Sequence, residues 1–184
     1  MIFGNKSEYA IEVYHKPLDN SSFYMTGRMC IHLFDKSFGR IYEEDCALAV
    51  YYMTLVDKIN NINILKNDFN LDNDYSVFEY LDDKLYVGSI ERTMEQIHNY
   101  YDLYGKFDFM TGTGETFDDS KSFIYLDKNE IVHIIYQKSI YNYDTKIFKD
   151  EDIICNEIDK EIFIKVTKKF IKWYEETEKM KLIK

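Results

Sequence analysis

The sequence contains one proline, seven glycines and one tryptophan among 184 residues. So little proline and glycine excludes collagen-like and low-complexity chains, which need one or both in excess. The longest apolar run, residues 46–56 with Thr54 inside it, is shorter than the about 20 residues that span a bilayer. Lys6 and Glu8 bring charge to the N-terminus at once, and no apolar stretch of signal-peptide length follows. We therefore expect a chain that is neither inserted into a membrane nor exported.

Cysteine is also scarce, with Cys30, Cys46 and Cys155 widely spaced and no C-x-x-C pair. An odd number at such spacing excludes a disulfide framework and a zinc ribbon, and it fits the reducing cytoplasm. Cys30 and His32 stand two apart on a predicted strand and face the same way, which is an arrangement that two metal ligands can use. No second pair at ligand spacing accompanies them, so we predict no metal site and no cofactor.

Positive charge is in deficit, because the chain has 23 basic and 33 acidic residues, which gives a net charge of −10. Such a chain repels phosphate backbones and anionic lipid surfaces, so we expect neither nucleic acid nor a membrane as partner. Residues 66–119 hold 13 acidic and 4 basic side chains and therefore carry −9 of this charge. A basic protein is the natural partner of such a segment.

What the sequence does contain is enough apolar residues, 46% of the chain, for a core of ordinary size. Tyr9, Ile11 and Val13 alternate with more polar residues, which is the period of a half-buried strand. Apolar residues spaced three and four apart predict helices elsewhere. The predicted strands are 9–13, 23–34, a short return strand after Gly39, 122–126 and 131–137. The predicted helices are 44–60, a helix from Ser89 to Gly105, and an amphipathic C-terminal helix over 158–180.

Two of the three predicted helices have a start signal. Glu43, Glu44 and Asp45 suit the positive end of the first helix, and Ser89 suits the N-cap of the second. Residues 35–39 and 127–129 supply turn chemistry between antiparallel strands. We therefore predict an α+β fold: one domain over residues 1–184, an antiparallel meander and hairpin with helices packed on the sheet.

The acidic segment 66–119 also holds 11 aromatic residues. Carboxylates steer a basic partner during encounter, and desolvated aromatic rings hold the complex. An alternative is a solvated acidic loop region over an ordinary aromatic core. The predicted partner-binding residues are Asp68, Asp72, Asp74, Tyr75, Glu79, Asp82, Asp83, Glu115, Phe117, Asp118 and Asp119.

Catalytic motifs are missing: the sequence has no G-x-S-x-G, no H-E-x-x-H and no P-loop signature. We therefore predict that the protein is not an enzyme, and we expect the isolated His15, His98 and His133 to be structural. One alternative is a metal-dependent hydrolase, provided that its carboxylates converge in one pocket. Those carboxylates would be Asp68, Asp72, Asp74, Glu115, Asp118 and Asp119.

A second alternative is a calcium-binding or structural protein. In residues 68–79, oxygen-bearing side chains fall at positions 1, 3, 5, 7, 9 and 12, the spacing of an EF-hand loop. Asn73 stands where that loop needs glycine, and no second hand pairs with it. An acidic loop that faces solvent or a partner is the better interpretation.

Three stretches of the sequence resemble the immunity protein 42 family of bacterial polymorphic toxin systems. They are MIFGNKSEYAIE at residues 1–12, GETFDD at 114–119, and the final strand and helix with Phe163, Val166 and Trp173. The resemblance leaves residues 60–110 unplaced. It implies a small cytoplasmic protein, encoded beside a secreted toxin, that binds the toxin domain and blocks it, with no catalytic residues. We expect a monomer or weak homodimer.

Overall fold

The structure, a computed structural model, describes residues 1–16, 25–39, 45–67, 69, 71, 73–86, 92–114, 116–142 and 147–181. The helices are α1 Leu48–Asn60, α2 Asp74–Leu85, α3 Met94–Tyr104 and α4 Lys160–Lys181, with short 3₁₀ turns at Ile62–Leu65 and Gly105–Phe107. The strands are β1 Ile2–Asn5, β2 Tyr9–His15, β3 Thr26–Leu33, β4 Lys36–Phe38, β5 Cys46–Ala47, β6 Ser120–Leu126, β7 Ile131–Asn142, β8 Ile147–Asp150 and β9 Ile154–Asp159.

The first sheet is an antiparallel meander in the order β1-β2-β3-β4, with β5 pairing the start of β3. Tyr9, Ile11 and Val13 are buried on β2, as the alternation predicted. Phe34 and Asp35 adopt positive φ in the turn between β3 and β4, where a short polar side chain such as Asp35 carries little strain. The predicted opening meander is confirmed, but the turn predicted over residues 35–39 was misplaced: it lies at Phe34 and Asp35, and the return strand β4 already occupies Lys36–Phe38.

The second sheet is built around β7, which pairs with β6 along one register and with β9 and β8 at successive positions. The turn before β7 is closed by Asp127, whose carboxylate accepts from the backbone N–H groups of Asn129 and Ile131. This is the hairpin predicted from residues 122–137. The structure adds β8 and gives bounds to β9, the final strand before α4, for which the sequence analysis gave no range.

Helix α4 joins the two sheets, because it packs against β1 and β2 of the first and against β7 and β9 of the second. Its apolar stripe is buried at Phe163, Val166, Phe170 and Tyr174. Between the sheets, the ring of Phe38 stacks on Tyr136 with centroids 4.7 Å apart. One continuous hydrophobic cluster results, and the predicted α+β fold is confirmed. The continuity supports a single domain over residues 1–184, which we propose.

Helix starts were predicted less well than helix existence. Helix α1 begins at Leu48 instead of residue 44, and Asp45 forms ion pairs with Lys16 and Arg28 before the helix starts. Ile158 belongs to β9, and α4 begins two residues later. Helix α3 has Thr93 as its N-cap, so the Ser89 cap was wrong for this helix; Ser89, Glu43 and Glu44 lie outside the described residues.

Candidate partner-binding surface

Helix α2 lies inside the acidic segment, where the sequence analysis expected a loop. Asn73 caps it, since its side-chain oxygen accepts from the backbone N–H of Ser76 at 2.9 Å. The helix buries Val77, Phe78 and Leu81 toward the second sheet. On its other side Tyr75, Glu79 and Asp83 are exposed. Their spacing of four places them on one stripe of the helix.

Helix α3 lies against α2 and is held mainly by aromatic contacts. The hydroxyl groups of Tyr80 and Tyr104 are 2.8 Å apart, and the rings of both pack on Phe69. No residue of α3 is buried. Met94, Tyr101 and Leu103 are 66%, 62% and 59% exposed. The helix thus presents an uncovered apolar face, which in a folded domain often marks an interaction site.

The charges of these two helices are divided between a covered and an open side. Lys84 and Arg92 lie over the ring of Tyr100, and the Arg92 guanidinium donates to the backbone oxygens of Asp83 and Lys84. Both cations also pair with the Asp83 carboxylate, so Asp83 lies at the edge between the two sides. Glu79, Glu95 and Asp102 are exposed, and none of them forms an ion pair within the described ranges. The open side is therefore both acidic and apolar. We call it the α2–α3 surface: Tyr75, Glu79, Asp83, Met94, Glu95, Tyr101, Asp102 and Leu103.

The structure divides the residues predicted to bind a partner. Tyr75, Glu79 and Asp83 lie on the α2–α3 surface. Asp82 does not belong to it, because its carboxylate is 2.6 Å from Nζ of Lys121 on β6 and only 15% of its side chain is exposed. Asp118 is exposed and Asp119 half-buried in the loop before β6. Asp68, Asp72 and Glu115 lie outside the described residues.

Phe117 requires a correction, because it is fully buried. Its ring lies 4.8 Å from that of Phe38 and 5.4 Å from that of Tyr51, centroid to centroid. A side chain added at Gly39 would meet the same ring. A residue with no exposed surface cannot contact a partner, so Phe117 belongs to the core and was wrongly predicted as an anchor.

Asp74 is the first residue of α2 and turns toward the second sheet, away from the exposed stripe. The Tyr125 hydroxyl donates to its Oδ1, and Nδ1 of His133 lies 2.9 Å from the same oxygen. These residues line a cleft of about 750 Å³ that also contains Glu157 and Cys155. One ligating atom from each of Asp74, His133 and Glu157 lies within 4.8 Å of the others, so this cluster is able to hold a cation.

Burial and these contacts act in opposite directions on the ionisable groups of the cleft. Burial raises the pKa of the Asp74 carboxyl, but contacts with His133 and Tyr125 outweigh it and leave the pKa lowered. Burial lowers the pKa of His133, and the neighbouring Asp74 carboxylate outweighs it and leaves that pKa raised. Burial and Asp74 together raise the pKa of Tyr125. Both Asp74 and His133 are thus favoured in their charged forms.

The structure argues against an EF-hand loop. Such a loop wraps its ligands around one ion, with an exit helix only near its end. Here α2 begins at Asp74, the seventh loop position, and the helical turn carries Glu79 away from Asp74. Asp74 contacts Tyr125 and His133, whereas Glu79 is exposed. Residues 68, 70 and 72 lie outside the described part of the chain.

The carboxylates proposed for a hydrolase do not converge where the structure describes them. Asp74 meets β6 at Tyr125, whereas Asp118 and Asp119 precede the opposite end of that strand at Ser120. A strand rises about 3.4 Å per residue, so about 17 Å of strand separates the two ends. Asp68, Asp72 and Glu115 lie outside the described residues. Convergence of Asp74 with Asp118 and Asp119 in one pocket is therefore contradicted.

The Cys30–His32 pair has an ordinary structural explanation. Nε2 of His32 lies 2.8 Å from Oε2 of Glu12 on the neighbouring strand, and Cys30 is buried. Across the described ranges, the group of Asp74, His133 and Glu157 is the one cluster with metal-ligand proximity. Sequence reasoning missed it, because the cluster depends on the β7–β9 register and on the docking of α2.

Comparison with protein families matches residues 1–173 to the family described as Immunity protein 42. The chain belongs to the immunity protein 42 family. The match includes residues 60–110, which the resemblance seen in the sequence did not cover. No curated protein and no solved structure gives a significant match. Within the residues that the structure describes, no helix is long and apolar enough to cross a bilayer.

Proposed function

We propose that this immunity protein binds a basic toxin domain through the α2–α3 surface and neutralises it by stoichiometric occlusion, without turnover. The observation that carries the proposal is the division of charge on these two helices. Lys84 and Arg92 are drawn onto the Tyr100 ring and nearby carbonyls, while Glu79, Glu95 and Asp102 remain exposed. A partner that approaches this side meets carboxylates and apolar side chains together.

The surface continues into a cleft of about 510 Å³ between α1 and the end of α3. Met53, Ile64 and Tyr101 are exposed along this cleft, and the carboxyl groups of Asp57 and Asp108 also line it. A lysine or arginine has an aliphatic stem and a charged end, so it matches a wall of this mixed character. Lys58 and Lys106 line the cleft as well, so its charges balance, and the preference for a basic partner rests on the exposed carboxylates of the α2–α3 surface.

Within this proposal, the encounter takes place in the cytoplasm, the protein acts as a monomer or weak homodimer, and neither nucleic acid nor membrane takes part. Family membership supports a toxin as the partner. The net charge of −10 supports a basic one. Together they make occlusion of a basic functional surface on the toxin the simplest route to neutralisation.

The charge arm of the test uses the triple variant Glu79→Gln, Glu95→Gln, Asp102→Asn. Its association with the cognate toxin domain should be slower than wild type and less sensitive to salt, because the steering charges are gone. The control is Asp35→Asn, Asp152→Asn, Glu176→Gln, which removes the same charge from exposed positions outside α2 and α3. Equal association rates for the two variants would place the interface elsewhere.

The apolar arm of the same test uses Tyr101→Ala. A buried aromatic anchor costs about 2 kcal/mol or more when truncated, and the loss should appear in the dissociation rate. Tyr14→Ala is the matched control, since Tyr14 is 52% exposed on β2. Thermal unfolding should be unchanged in both variants, because both rings are largely exposed. If the complex of Tyr101→Ala with the toxin dissociates at the wild-type rate, α3 is not part of the interface.

A further inference from the structure

The geometry points to a divalent transition-metal site formed by Asp74, His133 and Glu157. The three residues come from three elements that meet at the cleft. His133 on β7 lies directly opposite Glu157 on β9 in the strand register, and Asp74 begins α2 above them. Their ligating atoms lie within 4.8 Å of one another.

The state of His133 is the second, independent observation. The residue is only 8% exposed, and neither ring nitrogen forms a hydrogen bond. Nδ1 is 2.9 Å from Oδ1 of Asp74 and Nε2 is 3.9 Å from Oδ2 of Asp127, but neither contact has hydrogen-bond geometry. Buried polar atoms are nearly always partnered. Because its nitrogens lack hydrogen bonds and Nδ1 lies beside the Asp74 carboxylate, the imidazole in its neutral form is available to a metal ion, which would displace the proton that otherwise pairs it with Asp74.

The ring of His133 is also held in place. It stacks on Tyr125, its neighbour on β6, with centroids 4.4 Å apart and planes 9° apart. The Tyr125 hydroxyl donates to Asp74 and so fixes the first carboxylate as well. Such supporting contacts orient ligands in known metal sites. Glu157 is exposed and is the ligand free to swing toward an ion.

The chemistry of the ligands suits Zn²⁺ among common ions, because one imidazole nitrogen and two carboxylates form a borderline donor set. Zinc bonds of about 2.0–2.1 Å place tetrahedral ligand atoms about 3.3 Å apart, so the exposed Glu157 would rotate to bring its oxygen to that distance. Cys155, on β9 in the same cleft, is a further donor within the site's surroundings.

An ion at this position would tie the first turn of α2 to β7 and β9. Because the ion binds the folded chain and not the separated ligands, it would raise stability by linkage. It would also fix α2, and with it the α2–α3 surface, against the second sheet. The metal site goes beyond the proposed toxin binding and does not depend on it.

The test is titration of chelator-treated protein with ZnCl₂, followed by calorimetry and thermal unfolding. Wild type should bind one equivalent and unfold at a higher temperature with zinc. Glu157→Gln, at an exposed position, should fold normally and bind at least about 10-fold more weakly. His98→Gln is the matched control: His98 is exposed on α3, and its loss should change nothing.

Two outcomes would overturn the site. One is equal zinc affinity of wild type and Glu157→Gln; the other is loss of binding in His98→Gln. Asp74→Asn and Cys155→Ser sharpen the result. Binding that survives Cys155→Ser but is lost in Asp74→Asn supports the three-ligand site. Binding that is lost in Cys155→Ser and retained in Asp74→Asn contradicts it and indicates adventitious capture by the thiol.

Discussion

Helices α3 and α4 have similar amphipathic patterns but very different surroundings. Helix α4 buries Phe163 and Phe170 completely between the two sheets. Helix α3 has no buried residue and leaves Tyr101 and Leu103 exposed. The 3.6-residue period thus predicts that a helix forms, whereas tertiary packing decides whether its apolar face is covered. In an acidic protein that must capture another protein, the uncovered face is the informative one.

The largest expected effect on the free energy of unfolding comes from a substitution in the buried face of α4. Phe170→Ala should lower the free energy of unfolding by about 3–5 kcal/mol, the usual cost of removing a buried phenylalanine. The ring is fully buried and contacts Phe3, Trp173 and Tyr174. Urea denaturation followed by circular dichroism measures the loss.

Leu103→Ala on α3 is the control for Phe170→Ala. Its side chain is 59% exposed, so the free energy of unfolding should change by less than about 0.5 kcal/mol. Similar losses in the two variants would mean that α3 is packed as tightly as α4, and the contrast between the helices would fail.

A smaller change in the free energy of unfolding is expected when a hydrogen bond that holds α4 or α3 is removed. Tyr9→Phe removes the buried contact between the Tyr9 hydroxyl and Oγ1 of Thr167 on α4, 3.2 Å apart, and should cost about 1 kcal/mol. Tyr104→Phe removes the contact with the Tyr80 hydroxyl, which is only part-buried. It should cost less, because water can replace the lost partner. A larger loss for Tyr104→Phe in equilibrium unfolding would reverse the comparison.

Local patterns were sufficient for much of the fold. The alternation at Tyr9, Ile11 and Val13 predicted β2, and the turn residues after Leu126 predicted the β6–β7 hairpin. Helix α2 was missed because residues 68–76 are rich in Asp and Asn, which favour loops and caps. Its buried face is short, with Val77, Phe78 and Leu81. Local propensity favoured a loop there, whereas packing on the second sheet stabilises a helix.

The candidate site was harder to predict than the fold, since its residues meet across long sequence separations. Phe117 is buried because Phe38 and Tyr51 pack on it, and nothing near Phe117 in the sequence indicates this. Asp74 turns toward the second sheet because its carboxylate contacts the Tyr125 hydroxyl and the His133 ring. Composition located the acidic, aromatic segment but could not show which of its side chains face solvent.

The smallest expected effect on global stability concerns the start of α3. Thr93 accepts from the backbone N–H of Gln96, and the Gln96 side chain accepts from the backbone N–H of Thr93 at 3.0 Å, a complete capping box. Thr93→Ala should weaken the first turn of α3 by about 1 kcal/mol. Because α3 has no residue in the core, the free energy of global unfolding should barely change.

Amide hydrogen exchange separates the two quantities. In Thr93→Ala, the amides of α3 should exchange about 5-fold faster, the factor that about 1 kcal/mol implies, while those of α4 and β7 keep wild-type rates. Thr93→Ser retains a side-chain acceptor and should restore slow exchange. Faster exchange in α4 as well would show that α3 unfolds together with the core. The exposed face of α3 would then belong to the same cooperative unit as α4, and a partner bound there would stabilise the whole fold.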